Sequence, residues 1–167
     1  MPIVTPRLIL RSATLIDFKA SHQLLSDPEV MHFSLKGPYS EQQTADFIQD
    51  CIQKTQKNQP TLLAVIDRET EQLIGYCGFY MQKINGVEEV ELGYRLSKQH
   101  WGKGLATEAA IAMQKYAFDE MGLTRLISII DTNNLASIRV AEKVGLILEK
   151  KMRYDRRLNV AIYAINA

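Results

Sequence analysis

The stretch Ser97-Lys98-Gln99-His100-Trp101-Gly102-Lys103-Gly104-Leu105-Ala106-Thr107 joins an alternating strand to a helix, and its reading decides the fold. Upstream, Val90, Leu92, Tyr94 and Leu96 share one strand face, and Glu91, Gly93 and Arg95 share the other. Downstream, Leu105, Ala109, Ala112, Met113, Tyr116 and Ala117 recur at helical spacing toward Met121, with Gly122 as a C-cap. A helix start leaves backbone N–H groups without partners and carries partial positive charge. Glycines there let an anionic ligand approach the backbone, so Gly102 and Gly104 spell a phosphate-binding turn. A P-loop would need glycine where Ser97 stands, and a dinucleotide fingerprint would need glycine where Thr107 stands. A glycine turn with no ligand remains the alternative at this point.

Outward from the turn, Asn85-Gly86 is the strongest hairpin signal and precedes the alternating strand. Thr61 to Ile66 and Leu73 to Met81 are β-rich, and Tyr76, Phe79, Tyr80 and Met81 read as core strand residues. Arg7 to Arg11 is a short strand, and Asp17 to Leu25 a first helix. Ser40, with Gln43 three residues on, forms a capping box for a helix reaching Lys57. After the glycine turn come a strand at Leu126 to Asp131, a helix that Asn134 caps and Gly145 ends, and strands at Leu146 to Met152 and Val160 to Asn166. This order predicts an α/β (α+β) domain over 1–167, with a mixed, mostly antiparallel sheet of six to seven strands flanked by four helices. The last strand is expected at an exposed edge, which allows a monomer or a homodimer.

Composition narrows the function. With 20 basic and 19 acidic residues, the net charge is +1, which argues against a basic nucleic-acid face. Apolar runs such as Leu62 to Ile66 and Ala109 to Met113 have five residues, against the roughly 20 of a membrane span. Neither a signal peptide nor a metal-ligand spacing among His22, His32 and His100 is evident, and Cys51 and Cys77 read as free thiols. A cytoplasmic protein without metal is the expectation.

Gln99-x-x-Gly102-x-Gly104-x-Ala106 resembles the Q/R-x-x-G-x-G/A signature of the GNAT superfamily of acyl-CoA-dependent N-acetyltransferases. Three further segments resemble its ribosomal-protein N-terminal acetyltransferase (Rim-type) branch. They are Thr5 to Arg11, Glu91-Leu92-Gly93-Tyr94 followed by Trp101 to Ala109, and Asn134 to Leu146. The likeness runs over nearly the whole chain in family order; Leu146 departs, standing where the family usually has Phe.

The resemblance implies acetyl-CoA as donor. Its pyrophosphate would lie on the amides of Gly102, Lys103, Gly104, Leu105, Ala106 and Thr107, next to Gln99. Its pantetheine would pair with the splayed strand at Tyr94, Arg95 and Leu96 and meet Asn134, with Lys143 near the 3′-phosphate. Glu91 stands as general base, as a partner of Arg95, or as a solvated strand residue. Many family members carry a tyrosine seven residues after the asparagine; here that position is Ala141. Ser137 occupies the Rim-type serine position, either hydrogen-bonding the departing sulfur or capping its helix. The acceptor pocket would draw on Met31 to Tyr39, with His32 and Phe33, and on Arg153 to Arg157, with Tyr154. Trp101 is expected to pack beneath the turn. The implied reaction moves an acetyl group to a primary amine, either a protein N-terminus or a small molecule such as a polyamine, antibiotic or amino acid. A non-catalytic coenzyme A binding module is the competing class, and a nucleotide-binding domain fails on its motifs.

Overall fold

The computed structural model describes the backbone of all 167 residues and the side chains of all but Arg157 and Leu158. The chain runs β1 (Ile3–Val4), β2 (Leu8–Arg11), a 3-10 turn (Leu15–Asp17), α1 (Phe18–Leu25), α2 (Glu41–Gln56), β3 (Leu62–Asp67), β4 (Leu73–Ile84) and β5 (Val87–Leu96). A second 3-10 turn (Lys98–His100) leads into α3 (Leu105–Asp119), β6 (Arg125–Asp131), α4 (Leu135–Val144), β7 (Ile147–Tyr154) and β8 (Arg157–Asn166). Among the described residues these form one sheet of eight strands in the order β1-β2-β3-β4-β5-β6-β8-β7. The count exceeds the expected six to seven because two-residue β1 joins the edge through Ile3 and Val4. The last strand, β8, lies between β6 and β7, so the exposed edge expected for it belongs to β7 instead.

Local signals explain most of the elements. Ser40 Oγ accepts the Gln43 N–H at 3.1 Å while Gln43 Oε1 accepts the Ser40 N–H at 2.8 Å, the reciprocal box that starts α2. Asn85 (φ 49°) and Gly86 (φ 82°) both adopt positive φ, which a tight hairpin between β4 and β5 requires.

The two sheet faces bury different helices. Leu92 and Leu96 of β5 pack in one core with Leu105, Ala109 and Met113 of α3. Leu62, Ala64, Ile66 and Tyr76 of β3 and β4 pack with Leu24, Leu25, Ile48 and Cys51 of α1 and α2. Cys51 and Cys77 are buried free thiols, and burial pushes the Cys51 thiol up to about 11.

One junction shapes the site. All neighbouring strands pair antiparallel except β5 and β6, which run parallel with Glu91↔Ile127 as their one register pair among the described residues. On its other edge β5 pairs with β4 from Val87 to Leu96 without interruption. There Gly75 leaves no room: a Cβ would lie 2.1 Å from the Arg95 carbonyl oxygen and 2.6 Å from Leu96 Cδ2. Gly75→Ala is therefore expected to destabilise the fold by about 1–3 kcal/mol. Urea unfolding checks this, and an unchanged midpoint would show that the β4–β5 contact yields freely.

Candidate active site

The opening between β5 and β6 follows from backbone alternation. The Leu92 carbonyl accepts the Ser128 hydroxyl at 2.8 Å, so it faces β6. Alternation puts the N–H and C=O of Tyr94 on that same edge, beyond the last register pair. The Leu96 carbonyl, next on this edge, accepts Trp101 Nε1 at 2.8 Å. Trp101 thus closes the open edge. The residue is 46% exposed and lines the cavity, rather than packing beneath the turn as expected.

The glycine turn comes next in the chain. Gly102 (φ 72°) and Gly104 (φ 75°) are both left-handed, and a Cβ on Gly102 would meet nothing within 4 Å. Gly104 caps α3 without any side-chain hydrogen bond. The first intrahelical bond runs from the Glu108 N–H to the Gly104 carbonyl at 3.1 Å, so the amides of Leu105, Ala106 and Thr107 precede it. The turn therefore fits a phosphate group. Sequence reasoning misses the brace behind it. Glu108 accepts from the Thr5 hydroxyl (2.6 Å), the Arg7 amide (2.8 Å) and Arg7 Nε (2.7 Å), while Arg7 Nη1 donates to the Lys103 carbonyl (2.8 Å). The Thr5 to Arg11 segment stands out in the sequence, but its tie to residues about a hundred positions away leaves no local signal.

A cavity of about 980 Å³ passes from this turn through the opening. Tyr94, Arg95, Leu96, Gly102, Ala106, Asn134 and Ser137 line it among the expected donor residues. Gln99, Lys103, Gly104, Leu105, Thr107 and Lys143 do not; Gln99, Lys103 and Lys143 are exposed, and Leu105 is in the core. Asn134 Oδ1 caps α4 by accepting the Ser137 N–H at 3.2 Å, which leaves its amide nitrogen as a donor. Tyr94 Oη donates to the Ser137 carbonyl at 2.6 Å and accepts the Ser137 hydroxyl at 3.1 Å. A phenol thus stands beside Ser137, supplied by β5 rather than by the helix position that Ala141 fills. Burial raises the Tyr94 phenol well above its ordinary range.

Glu91 holds the mouth of the opening. Its Oε2 accepts the Ile129 N–H at 3.0 Å, an amide beyond the register pair, and its Oε1 accepts Gln82 Nε2 at 3.0 Å. Tyr154 Oη donates to Gln82 Oε1 at 3.0 Å, so Tyr154 positions Gln82 and does not line the cavity. Both Glu91 oxygens are thus turned to Gln82 and Ile129 rather than to Arg95, the partner that strand alternation allowed. His32 and Phe33 line the cavity, their rings edge-to-face at 4.7 Å. The Arg157 side chain, part of the expected pocket, lies outside the described residues. Two expectations on β4 change. Tyr80 is 36% exposed and lies against Gly93, where a Cβ would sit 2.7 Å from its ring; Met81 is 52% exposed. Tyr76 stays buried, its hydroxyl 2.7 Å from that of Ser21, and Phe79 is core. Among the described residues no cluster is arranged to hold a metal ion, and no helix is long and apolar enough to cross a membrane.

Comparison with known proteins gives consistent results. The acetyltransferase (GNAT) domain model matches residues 7–147. The uncharacterised N-acetyltransferase p20 of Bacillus licheniformis is 32% identical over 170 residues, covering 98% of this chain and 94% of the relative. A GNAT-family acetyltransferase structure from Bacillus anthracis superposes with a TM-score of 0.87 at 30% identity, covering 99% of this chain and 98% of its own. An acetyl transferase structure from Salmonella typhimurium, described as modifying the N-terminal serine of 50S ribosomal subunit protein L7/L12, shares the fold. Its TM-score is 0.85 at 23% identity, covering 100% of this chain and 99% of its own.

The Glu108 brace has a pH signature. Burial disfavours its charge, but the Thr5 and Arg7 donors outweigh that and hold its carboxyl below the ordinary carboxylate range. A lowered folded pKa gives stability that is present above about pH 4.3 and lost as pH falls through the folded value. Glu108→Gln is expected to unfold at lower urea than wild type at pH 7, with the gap narrowing near pH 3. A gap that stays constant with pH would show that the brace contributes nothing through its charge.

Proposed function

This chain belongs to the GNAT acetyltransferase family, and from that premise we propose that it transfers acetyl from acetyl-CoA to a primary amine by direct attack in a ternary complex. The observation that carries this reading is the shared cavity: Gly102, Ala106, Tyr94, Ser137, Asn134 and Glu91 all line one space. Donor site, polar centre and carboxylate are therefore continuous.

Bound acetyl-CoA supplies the activated acyl thioester. The amides of Leu105, Ala106 and Thr107 hold its pyrophosphate, and left-handed Gly102 lets the phosphate approach closely. Gln99, Lys103 and Lys143 are assigned to this end by the family pattern. The Tyr94 backbone on the open edge pairs with the pantetheine arm, and the Asn134 amide donates to it. The same edge offers an N–H for the negative charge that develops on the acyl oxygen. Glu91, held by Gln82 and the Ile129 amide, takes the proton from the incoming ammonium directly or through one water. Ser137 turns its hydroxyl from Tyr94 to the departing sulfur, with the Tyr94 phenol still anchored on the Ser137 carbonyl. A protein N-terminal amine is the first acceptor class, supported by the fold shared with the ribosomal-protein enzyme. A small amine is the second, supported by the aromatic walls at Phe33, Tyr39, Phe47 and Tyr80.

Calorimetric titration tests the donor site. Acetyl-CoA is expected to bind, ATP not to bind, and Gly104→Val, verified as folded by circular dichroism, to lose acetyl-CoA. A folded wild type that ignores acetyl-CoA would overturn the reading. With an accepted amine, Glu91→Gln is expected to lower kcat about 10²- to 10⁴-fold, and undiminished turnover would remove Glu91 as base.

A further inference from the structure

Resting on the transferase reading, we propose that the acceptor amine carries a carboxylate and that Arg95 binds it. Arg95 follows Tyr94 in β5, so its side chain faces the opposite side of the sheet from Tyr94 and Ser137, toward the acceptor side. Its own backbone points to β4, where its register partner is Tyr76. The guanidinium is half-buried and lines the cavity. Among the described residues it makes no hydrogen bond and no ion pair.

A guanidinium that faces a cavity with its donors unused is placed to receive a ligand anion, and it matches a carboxylate in a two-point fork. The carboxylates lining the cavity are otherwise engaged. Glu29 pairs with Lys98 at 2.6 Å, Asp131 accepts the Asn133 amide at 2.9 Å, and Glu91 accepts from Gln82 and Ile129. Glu91, Gly93 and Arg95 share one face of β5, and Gly93 between them has the Tyr80 ring in place of a side chain. An acceptor lying on that ring presents its amine toward Glu91 and its carboxylate toward Arg95. The face thus holds a base at one end and a fixed cation at the other. A polyamine, which carries only positive charge, meets the wrong sign at Arg95.

The carboxylate has two sources, a free amino acid or an acidic residue beside a peptide N-terminus, and matched pairs separate them. Coenzyme A thiol release is followed with phenylalanine against phenylalaninamide, with a peptide bearing aspartate at its second position against one bearing asparagine, and with spermidine. In at least one pair the carboxylate member is expected to show kcat/KM about 10- to 100-fold higher, and that pair names the source. In Arg95→Gln that ratio collapses, and Arg95→Lys restores part of it. Equal rates within both pairs, spermidine as the best acceptor, or a ratio that survives Arg95→Gln overturns the proposal and leaves the transferase reading standing. Binding of acetyl-CoA without thiol release from any acceptor overturns both.

Discussion

The parting of β5 from β6 is the constraint on which the rest of the site depends. Two parallel strands that stay in register bury their backbone groups against each other. Here the register stops after Glu91↔Ile127, and each strand is left with polar backbone that must find a partner. Side chains meet the need near the junction: Ser128 reaches the Leu92 carbonyl, and Glu91 reaches the Ile129 amide. Farther along, Trp101 takes the Leu96 carbonyl. Between these closures the Tyr94 edge stays open, and that interval is where a donor arm can pair as a strand would. The carboxylate proposed as base is thus also the group that finishes the junction.

The glycine turn and the opening are tuned by contacts from opposite ends of the chain. Left-handed glycines fix the path of the turn, but Arg7 on the Lys103 carbonyl and Glu108 behind Arg7 fix where it sits against the sheet. On the other wall, α4 is tied to β5 through Tyr94 and Ser137. Alternate residues of β5 serve opposite faces of the sheet: Tyr94 turns toward α4, and Glu91 and Arg95 turn to the other side. In the proposed reading one strand sets both specificities, and a shift of one residue in its pairing would exchange the two faces.

Much of this is legible in the residues. The capping box at Ser40, the Asn85-Gly86 hairpin, the α4 cap at Asn134 and the helix after Gly104 each depend on neighbours within a few positions. Gln82 is not legible: it lies on a strand whose other residues are mostly apolar, and its role emerges only when Tyr154 and Glu91 flank it. Tyr80 reads as a core residue because strand periodicity cannot say which face a cavity will open on; the missing side chain of Gly93 turns its ring into a cavity wall. The edge strand departs from expectation for a similar reason, since β8 inserts between β6 and β7 rather than adding outside them.

The sequence by itself determined most of the elements, the glycine turn and the family likeness, because helix starts, tight hairpins and glycine conformations are set by local sterics and nearby hydrogen bonds. Tertiary structure alone decided which strand edge stays open, what Glu91 holds, which phenol meets Ser137, and that the Arg95 guanidinium lines the cavity on the face opposite Tyr94, unpaired among the described residues. Those outcomes join residues tens of positions apart or turn on which charges a folded cavity gathers. Local preference carries no information about either, because both are fixed only when the sheet closes its core.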